Sequence, residues 1–272
     1  MQFKNRTVFI TGASRGIGEA IAVKLAAEGA NIAIAAKSVV EDPRLGGTIY
    51  SAAKAVEAAG GKALALQADI RDEAQVQAAV QQTADHFGGI DILINNASAI
   101  QLTGTEQTPA KRFDLMYDIN VRGTFLVTQH CIPFLKKGIN PHILTLSPPV
   151  NLAPQWMGAH AAYTVSKYSM SMFTLGWAEE LKAAGVAANS LWPATTIATA
   201  AVRNLLGGEA LVNMSRKPDI VADAVFHILK RPAASCTGNN FIDEEVLRSE
   251  GITDFSSYAV VAGGRLQPDL FL

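Results

Sequence analysis

The sequence predicts an α/β fold in which helices cover both faces of a doubly wound parallel sheet of about seven strands, giving three αβα layers. Three observations predict it. Short apolar runs alternate along the chain with alanine-rich amphipathic stretches, as in repeated strand–helix–strand units. These runs lack polar alternation, which is typical of strands buried on both faces. A glycine-rich turn connects the first apolar run to the first helical stretch.

The predicted strands share this apolar character. They cover residues 7–11, 31–36, 63–67, 91–95, 142–147, 187–191 and 240–242. The stretch that begins near Ala162 has helical periodicity through about residue 184. Because 49% of the 272 residues are hydrophobic, the chain can bury a sizeable core. We expect one domain over residues 1–272, with a C-terminal extension from about residue 243.

Composition argues against several classes of function. The formal net charge is −1 and the basic residues are scattered, so nucleic acid is not an expected partner. Cys131 and Cys236 lack the spacing of metal ligands or of a redox pair, so we expect two buried small hydrophobes and no metal. No apolar stretch reaches the length of a membrane span, and the first strand starts too early for a signal sequence. We therefore expect a cytoplasmic protein.

The glycine-rich turn has the sequence Thr-Gly-Ala-Ser-Arg-Gly-Ile-Gly from Thr11 to Gly18. At a strand-to-helix turn, Gly12 can take backbone angles closed to other residues, Gly16 lets the main chain approach a pyrophosphate, and Gly18 lets the helix pack closely. The helix that follows points unpaired N–H groups at the phosphates. The turn predicts a dinucleotide site, although the same residue types also form ordinary loops.

Tyr163 and Lys167 stand four residues apart in a predicted helix, so they share one face. A phenol with a pKa of about 10 exchanges protons poorly at neutral pH. A cation one helical turn away favours the phenolate and lowers that pKa, which would make Tyr163 a general acid or base. The alternative is a tyrosine that only covers apolar helix surface.

Several motifs together resemble the short-chain dehydrogenase/reductase family. They are the glycine turn, Asn95-Asn96-Ala97, Asn120 and Tyr163-x-x-x-Lys167, which occur in that order. The resemblance implies a Rossmann fold, a nicotinamide cofactor, and oxidation or reduction at an alcohol or carbonyl carbon. It implies that Tyr163 donates a proton to the carbonyl oxygen, that Lys167 adjusts the tyrosine pKa and binds the cofactor ribose, and that Asn120 anchors a proton-relay water. A narrower likeness to the hydroxysteroid dehydrogenase-like branch extends through the last residues and suggests a link with lipid metabolism.

The end of the fifth predicted strand departs from the family pattern. The family places a serine there that hydrogen-bonds the substrate carbonyl, and the register with the preceding strand puts Pro148 at that position. Ser147 lies one residue earlier, so strand alternation points its side chain to the opposite face unless the two prolines bend the backbone. Only in that second case is Ser147 a candidate catalytic residue.

The charge at the end of the second strand bears on the choice of cofactor. Proteins specific for NAD tend to carry an acidic residue there for the adenosine ribose, whereas this chain has Lys37 and Ser38. Lys37, Arg15 of the glycine turn and the Ser38 hydroxyl would instead attract a 2′-phosphate. We therefore expect NADP(H) rather than NAD(H); the alternative is a pair of solvated surface cations.

Further positions are expected to contact the cofactor because they match the family pattern. They are Asp69 and Ile70 at the adenine, Asn95, Asn96 and Ala97 along the adenosine, Ile197 and Thr199 near the nicotinamide amide, and Ser14, Ile17 and Pro193. Pro193 belongs to a Pro-Ala pair where the family has Pro-Gly. Alanine restricts the backbone dihedral angles that glycine would allow at residue 194.

The segment after the sixth predicted strand is mostly apolar. Its apolar residues are Ile197, Ala198, Ala200, Ala201, Val202, Leu205 and Leu206, and Gly207-Gly208 follows as a candidate hinge. A lid over an apolar or acyl-like substrate needs such a composition, but the same residues would equally pack a plain amphipathic helix. Trp156 and Met157, before Tyr163, are candidates for another wall.

The sequence thus predicts an NADP(H)-dependent oxidoreductase that interconverts a ketone and a secondary alcohol, with an apolar or lipid-like small-molecule substrate. Two alternatives stay open. One is a catalytically weak dinucleotide-binding sensor or scaffold, which Pro148 favours. The other is a lipid-binding protein in which redox chemistry is secondary. The family resemblance also implies a homo-oligomer, either a tetramer or a dimer.

Overall fold

The computed structural model describes residues 1–272, except for the side chain of Leu205. At its centre lies a parallel sheet of seven strands in the order β3-β2-β1-β4-β5-β6-β7. The strands are β1 (Thr7–Thr11), β2 (Asn31–Ala36), β3 (Lys62–Gln67), β4 (Ile92–Asn95), β5 (His142–Leu146), β6 (Ala187–Trp192) and β7 (Asn240–Ile242). The predicted α/β fold is confirmed, and every strand bound lies within one residue of its predicted place.

Helices connect the strands and cover the sheet. They are α1 (Gly16–Ala27), α2 (Ile49–Ala58), α3 (Glu73–Phe87), α4 (Ala110–Met116), α5 (Thr124–Leu135), α6 (Pro154–Gly158), α7 (Ala161–Glu180), α8 (Gly208–Asn213), α9 (Asp219–Leu229) and α10 (Asp243–Ser249). Short 3₁₀ turns follow at Lys182–Ala184 and Ser256–Tyr258, and π-helical turns lie at Tyr117–Gly123 and Val202–Leu206. Among the residues that the structure describes, no helix is both long and apolar enough to cross a bilayer.

Both faces of the sheet are buried because successive side chains of a strand point to opposite sides. Val8 and Ile10 of β1 belong to the core beneath α1, α2 and α9. Phe9, between them, belongs to the core beneath α3, α5 and α7. The predicted burial of Cys131 and Cys236 is confirmed. This arrangement explains why the strands are continuously apolar.

The strand order reverses between β1 and β4, which lie side by side although two strands separate them along the chain. Loops that leave neighbouring strands in opposite directions open a crevice at the carboxyl edge of the sheet. The glycine turn after β1 and the loops after β2, β4, β5 and β6 all start at this edge. The motif residues are therefore gathered there.

Candidate active site

A cavity of about 710 Å³ opens at this carboxyl edge. It is lined by most of the residues predicted to contact the cofactor: Gly12, Ser14, Arg15, Gly16, Ile17, Gly18, Lys37, Ser38, Asp69, Ile70, Asn96, Ala97 and Thr199. Three others, Lys167, Pro193 and Ile197, are buried and do not line it. Leu45 and Gly47 also line it, from the loop after β2 whose position at the carboxyl edge makes it a candidate site wall. Among the lining residues that the sequence argument missed are Arg112 of α4 and Ile119 of the π-helical turn Tyr117–Gly123. Its volume is that of a small-molecule or cofactor site.

The glycines of the turn are each required by their surroundings. Gly12 and Gly16 have φ of +66° and +59°, a region that side chains disfavour. A Cβ on Gly12 would lie 2.9 Å from the Cα of Ala97. A Cβ on Gly18 would lie 2.5 Å from the Nδ2 of Asn96 and 2.8 Å from the Cα of Ala13. The tightest neighbour of Gly18 is thus the Asn96 amide, which donates to the Thr11 and Gly12 carbonyls at 2.9 and 3.1 Å.

The helix after the turn presents main-chain donors to the cavity. α1 begins at Gly16, and its N-cap, Arg15, supplies no side-chain cap. The first N–H groups of an α-helix have no partner within the helix. Because they stand where the positive end of the helix dipole lies, they suit the phosphates of a dinucleotide. Residues 12–18 therefore fit such a group by both shape and charge.

A basic corner lies at the end of β2. The Nη2 of Arg15 donates to the Ser38 Oγ at 2.7 Å and to the Gly47 carbonyl at 3.2 Å. Lys37 is exposed beside it. The pKa of Asp69 is held below its ordinary value, chiefly by hydrogen bonds from Arg71 and also by the charge of Lys37. The sequence-predicted cations thus stand together with Ser38 at one end of the cavity.

Asn95 does not lie on the adenosine side as expected. Its side chain is buried behind the strand, where the Nδ2 donates to the Thr128 Oγ1 of α5 at 3.0 Å. The next residues, Asn96 and Ala97, do line the cavity. The Thr11 Oγ1 accepts from the main-chain N–H of each of them at 3.1 Å. The difference follows from strand alternation, because β4 ends at Asn95 and its last side chain points toward the helical layer.

Asn120 lies in the π-helical turn Tyr117–Gly123, fully buried. Its amide donates to the Ala99 carbonyl at 2.9 Å and to the Ser166 Oγ at 3.0 Å, and it accepts from the Ala99 N–H at 2.8 Å and the Ser98 Oγ at 3.1 Å. An asparagine amide offers two donor and two acceptor positions, so all four are used within the protein. The side chain thus fixes the loop after β4 to α7; its role in anchoring a water stays a prediction.

Tyr163 and Lys167 both lie buried on α7, as the spacing predicted. The Lys167 Nζ, however, donates to the Leu146 carbonyl at 2.6 Å and lies 3.3 Å from the Met170 sulfur. It also stands 5.2 Å from the centre of the Trp192 ring. The ammonium group is therefore turned toward the end of β5, because a buried cation takes the nearest main-chain acceptor.

The pKa shifts of Tyr163 and Lys167 differ from the prediction. Burial raises the pKa of Tyr163, and the neighbouring Asp269 carboxyl raises it further. Burial lowers the pKa of Lys167 to about 7, against a smaller opposing effect of Asp269. Lys167 does not lower the pKa of Tyr163 as expected. Burial removes water from the phenol, and this desolvation dominates the pKa of Tyr163.

Ser147 follows directly after β5 and is fully buried. Its main-chain N–H donates to the Thr145 carbonyl at 2.9 Å, so the backbone bends as soon as the strand ends. Among the described residues, its Oγ has no hydrogen-bond partner. The Pro148 carbonyl that follows accepts from Ser171 of α7. The backbone bends here, whereas the direction of the Ser147 hydroxyl toward a substrate carbonyl stays a prediction.

The apolar segment after β6 covers part of the cavity. Ala198, Thr199, Ala200 and Ala201 line it, and the chain then forms the π-helical turn Val202–Leu206 and α8. Gly208 has a φ of +63°, which suits the predicted hinge position. The Asn204 Nδ2 donates to the Arg44 carbonyl, so this segment contacts the loop after β2 across the cavity mouth.

The C-terminal segment also reaches the site, which the sequence argument did not predict. Phe271 is 1% exposed and packs against Tyr163, Tyr168 and Trp192. Two residues earlier, Asp269 faces Lys167 closely enough to affect its pKa. These residues carry part of the narrower family likeness, but no periodic pattern marks them, so only the apolar end, Leu270-Phe271-Leu272, could have indicated burial.

Comparisons with known proteins agree with this geometry. The family model "short chain dehydrogenase" matches residues 6–209. Over 266 residues and 98% of this chain, the sequence is 58% identical to hydroxysteroid dehydrogenase-like protein 2 of Rattus norvegicus and 56% identical to that of Homo sapiens. The chain spans 50% and 63% of the lengths of these relatives.

A solved structure has the same fold. A short chain dehydrogenase homolog from Mycobacterium thermoresistibile is 54% identical and superposes with a TM-score of 0.94, covering 99% of this chain and 95% of that one. The match of the glycine turn, the seven-stranded sheet and the Tyr163–Lys167 spacing has a common explanation: this chain belongs to the short-chain dehydrogenase family.

Proposed function

We propose that this chain is an NADP(H)-dependent oxidoreductase that interconverts a ketone and a secondary alcohol, with an apolar or lipid-like substrate. The observation that carries the proposal is the contact between the dinucleotide cavity and the cluster that holds Tyr163. Ala99 and Ile100 line the cavity and also pack against that cluster. This shared wall supports a role for Tyr163 as the proton donor that reduction of a carbonyl needs beside a cofactor site.

The preference for NADP(H) rests on the basic corner. Arg15, Lys37 and Ser38 would hold a 2′-phosphate, and Arg15 is already oriented by its hydrogen bond to the Ser38 Oγ. The chain supplies no carboxylate at the end of β2, where NAD-specific sites need one for the ribose. When bound, the cofactor would supply or accept a hydride at its nicotinamide end.

The roles of the chain's own residues follow from charge. The substrate oxygen gains negative charge during reduction, and the Tyr163 hydroxyl would donate the proton that neutralises it. Lys167 would stabilise the phenolate that remains, which requires its ammonium group to turn from the Leu146 carbonyl. Asn120 would keep the loop after β4 against α7 through its four hydrogen bonds. The buried Ser147 hydroxyl is a further donor for the substrate oxygen.

The apolar character of the substrate is inferred from the walls. Ile100 and Ile119 face the cavity, and the segment at 198–201 contributes mostly alanine. Met157 and Trp156 pack beside Tyr163. Such a lining favours a ketone with hydrocarbon substituents over a sugar or an acid.

The first prediction concerns Tyr163→Phe. Removing the proton donor is expected to lower kcat for NADPH-dependent ketone reduction by about 10²–10⁴-fold while NADPH binding is kept. The measurement is NADPH absorbance across aliphatic, acyl and steroid ketones, with cofactor affinity from fluorescence titration. Tyr50→Phe, at a tyrosine that is 54% exposed on α2, is the matched control. Equal activity in Tyr163→Phe and the wild type would contradict the proposal.

A catalytically weak dinucleotide-binding protein is the second candidate. Pro148 at the family's serine position and the orientation of Lys167 toward Leu146 favour it. Tight NADPH binding without turnover of any ketone in the panel would support this candidate against the first.

A further inference from the structure

The C-terminal segment, residues 267–272, runs beside the loop that follows β6. The Gln267 N–H donates to the Met214 carbonyl at 2.8 Å, and the Thr196 N–H donates to the Gln267 carbonyl at 3.0 Å. Pro268 pairs with Thr195 in an antiparallel bridge. One residue further, the Asp269 N–H donates to the Ala194 carbonyl at 3.1 Å. These main-chain bonds attach the segment to one wall of the candidate site.

The same segment also contacts the opposite wall, formed by the loop between β5 and α7. The Asn151 Nδ2 of that loop donates to the Phe271 carbonyl at 3.2 Å. One residue earlier in the segment, the Leu270 carbonyl accepts from the Trp192 Nε1 of β6 at 2.9 Å. Residues 267–272 therefore bridge the loops after β5 and after β6, between which a substrate would lie in this fold.

The ring of Phe271 lies in the middle of an aromatic group. Its centroid distances are 5.3 Å to Tyr168, 5.8 Å to Trp156, 5.9 Å to Trp192, 6.0 Å to His160 and 6.2 Å to Tyr163. Its plane is inclined by 30° to that of Tyr163. Phe271 is 1% exposed, and burial of so large an apolar ring among five other rings indicates a specific docking of this segment.

The position of this ring limits the space beside Tyr163. Tyr163 is only 4% exposed and does not line the large cavity, whereas Ala99 and Ile100 both line that cavity and pack against the cluster of Tyr163. Phe271 belongs to the same cluster as Tyr163, and Trp156 packs against it. A ketone that brings its oxygen to Tyr163 must place one substituent against this aromatic wall.

We propose that Phe271 is a specificity-determining residue, whose ring sets the largest apolar group that a ketone can place beside Tyr163. The proposal rests on the proposed function of the site. The substrate class is a ketone with one small and one larger hydrocarbon substituent, the small one on the side of Phe271. A smaller residue at position 271 enlarges that side, and a larger one narrows it.

Steady-state reduction of two ketones by NADPH tests this. The probes are cyclohexyl methyl ketone and cyclohexyl propyl ketone, which share the larger substituent and differ in the size of the smaller one. In Phe271→Ala, the kcat/KM ratio of the bulky ketone to the small one is expected to rise at least about tenfold, and in Phe271→Trp it is expected to fall. Leu272→Ala, at the adjacent residue with 44% exposure, is the matched control and should leave the ratio unchanged.

A second readout does not depend on turnover. Trp156 and Trp192 flank Phe271, whereas Trp177 stacks on Phe173 in a different cluster and supplies a constant background. Fluorescence quenching by 1-cyclohexylethanol and by 1-cyclohexyl-1-butanol, the alcohols of the two probes, gives the two dissociation constants with cofactor present. Their ratio should move in the same direction as the kinetic ratio.

The outcomes separate the two proposals. If neither the wild type nor any variant reduces a ketone, the proposed function fails, and the fluorescence ratio alone decides the role of Phe271. An unchanged ratio in Phe271→Ala and Phe271→Trp, or equal losses for small and bulky ligands, would overturn the specificity role. If Phe271→Ala does not fold, Phe271→Leu and Phe271→Trp provide the same comparison.

Discussion

The cofactor half and the substrate half of this site are built differently. The proposed cofactor half is built from consecutive residues, such as the turn from Gly12 to Gly18, whose main-chain N–H groups would contact the dinucleotide. The substrate half joins side chains from segments far apart, with Phe271 packed against Trp156 and Tyr163. The comparison teaches that the turn depends on local backbone geometry, whereas the surroundings of Tyr163 depend on long-range packing.

The largest effect is expected from breaking the local half with Gly18→Ala. The new Cβ would meet the Asn96 amide at 2.5 Å and main chain at 2.8 Å. We expect dinucleotide affinity to fall by about 100-fold or more, and the free energy of unfolding to fall by about 1–3 kcal/mol. Calorimetric titration with NADPH and urea unfolding measure the two.

The matched control is Gly176→Ala in α7, where the new Cβ meets nothing within 4 Å. Alanine in that helix interior is expected to leave binding unchanged and to stabilise the fold by about 0.5–1 kcal/mol. Wild-type affinity in Gly18→Ala would show that close packing at the turn is not what binds the dinucleotide.

A smaller effect sharpens the comparison within the cofactor half. Arg15→Ala removes the guanidinium that donates to the Ser38 Oγ at the basic corner. Because a hydrogen bond to a charged group contributes about 1.5–3 kcal/mol, NADPH affinity should fall by about 10- to 100-fold while NADH affinity stays within about twofold. Arg112→Ala, at another cation lining the cavity, should leave the NADPH-to-NADH ratio as it is. Equal losses for both cofactors would contradict selection of the 2′-phosphate.

A further effect concerns the substrate half and depends on pH. Burial raises the pKa of Asp269 to about 7, and the charge of Asp243 adds to this while that of Lys167 opposes it. The folded state therefore holds the proton more tightly than the unfolded state, whose pKa is about 3.9. The contribution of the Asp269 carboxyl to the free energy of unfolding is fully present below a pH of about 4, and it is lost as the pH rises to about 7. Asp269→Asn should become relatively more stable than the wild type over that interval.

Urea midpoints measured between pH 4 and pH 7 test this slope. Asp254→Asn is the control, because hydrogen bonds from the main-chain N–H and the side chain of Ser256 lower the pKa of Asp254. Its difference from the wild type should stay constant over the same interval and shrink only at lower pH. A constant difference for Asp269→Asn as well would contradict the raised pKa.

The sequence predicted the fold and most of the predicted cofactor residues that line the cavity, because both depend on short-range patterns. Strand bounds came from apolar runs, and the places of Gly12 and Arg15 came from a contiguous motif. The spacing of Tyr163 and Lys167 correctly placed them on one helix. It did not predict where the ammonium points, because that depends on the Leu146 carbonyl, which β5 brings close only in the folded chain.

The rest of the substrate half was beyond the sequence for a similar reason. The direction of the Asn95 side chain depends on where β4 ends, and its partner Thr128 lies on another element. The bend at Ser147 depends on a single main-chain hydrogen bond to Thr145. Phe271 reaches the site from the end of the chain, and its partners become neighbours only after β5, β6 and α7 are assembled. No periodicity carries that information.

The docked C-terminal segment has a practical consequence for how the protein is handled. A peptide tag fused after Leu272 would start one residue beyond the buried Phe271, at the rim of the substrate side. The N-terminus is a safer attachment point, since Met1 is 81% exposed. The Phe3 N–H donates to the carbonyl of Glu28, a residue that lies between the end of α1 and the start of β2. That is the amino edge of the sheet, away from the site, so a tag placed there leaves ligand access unaltered.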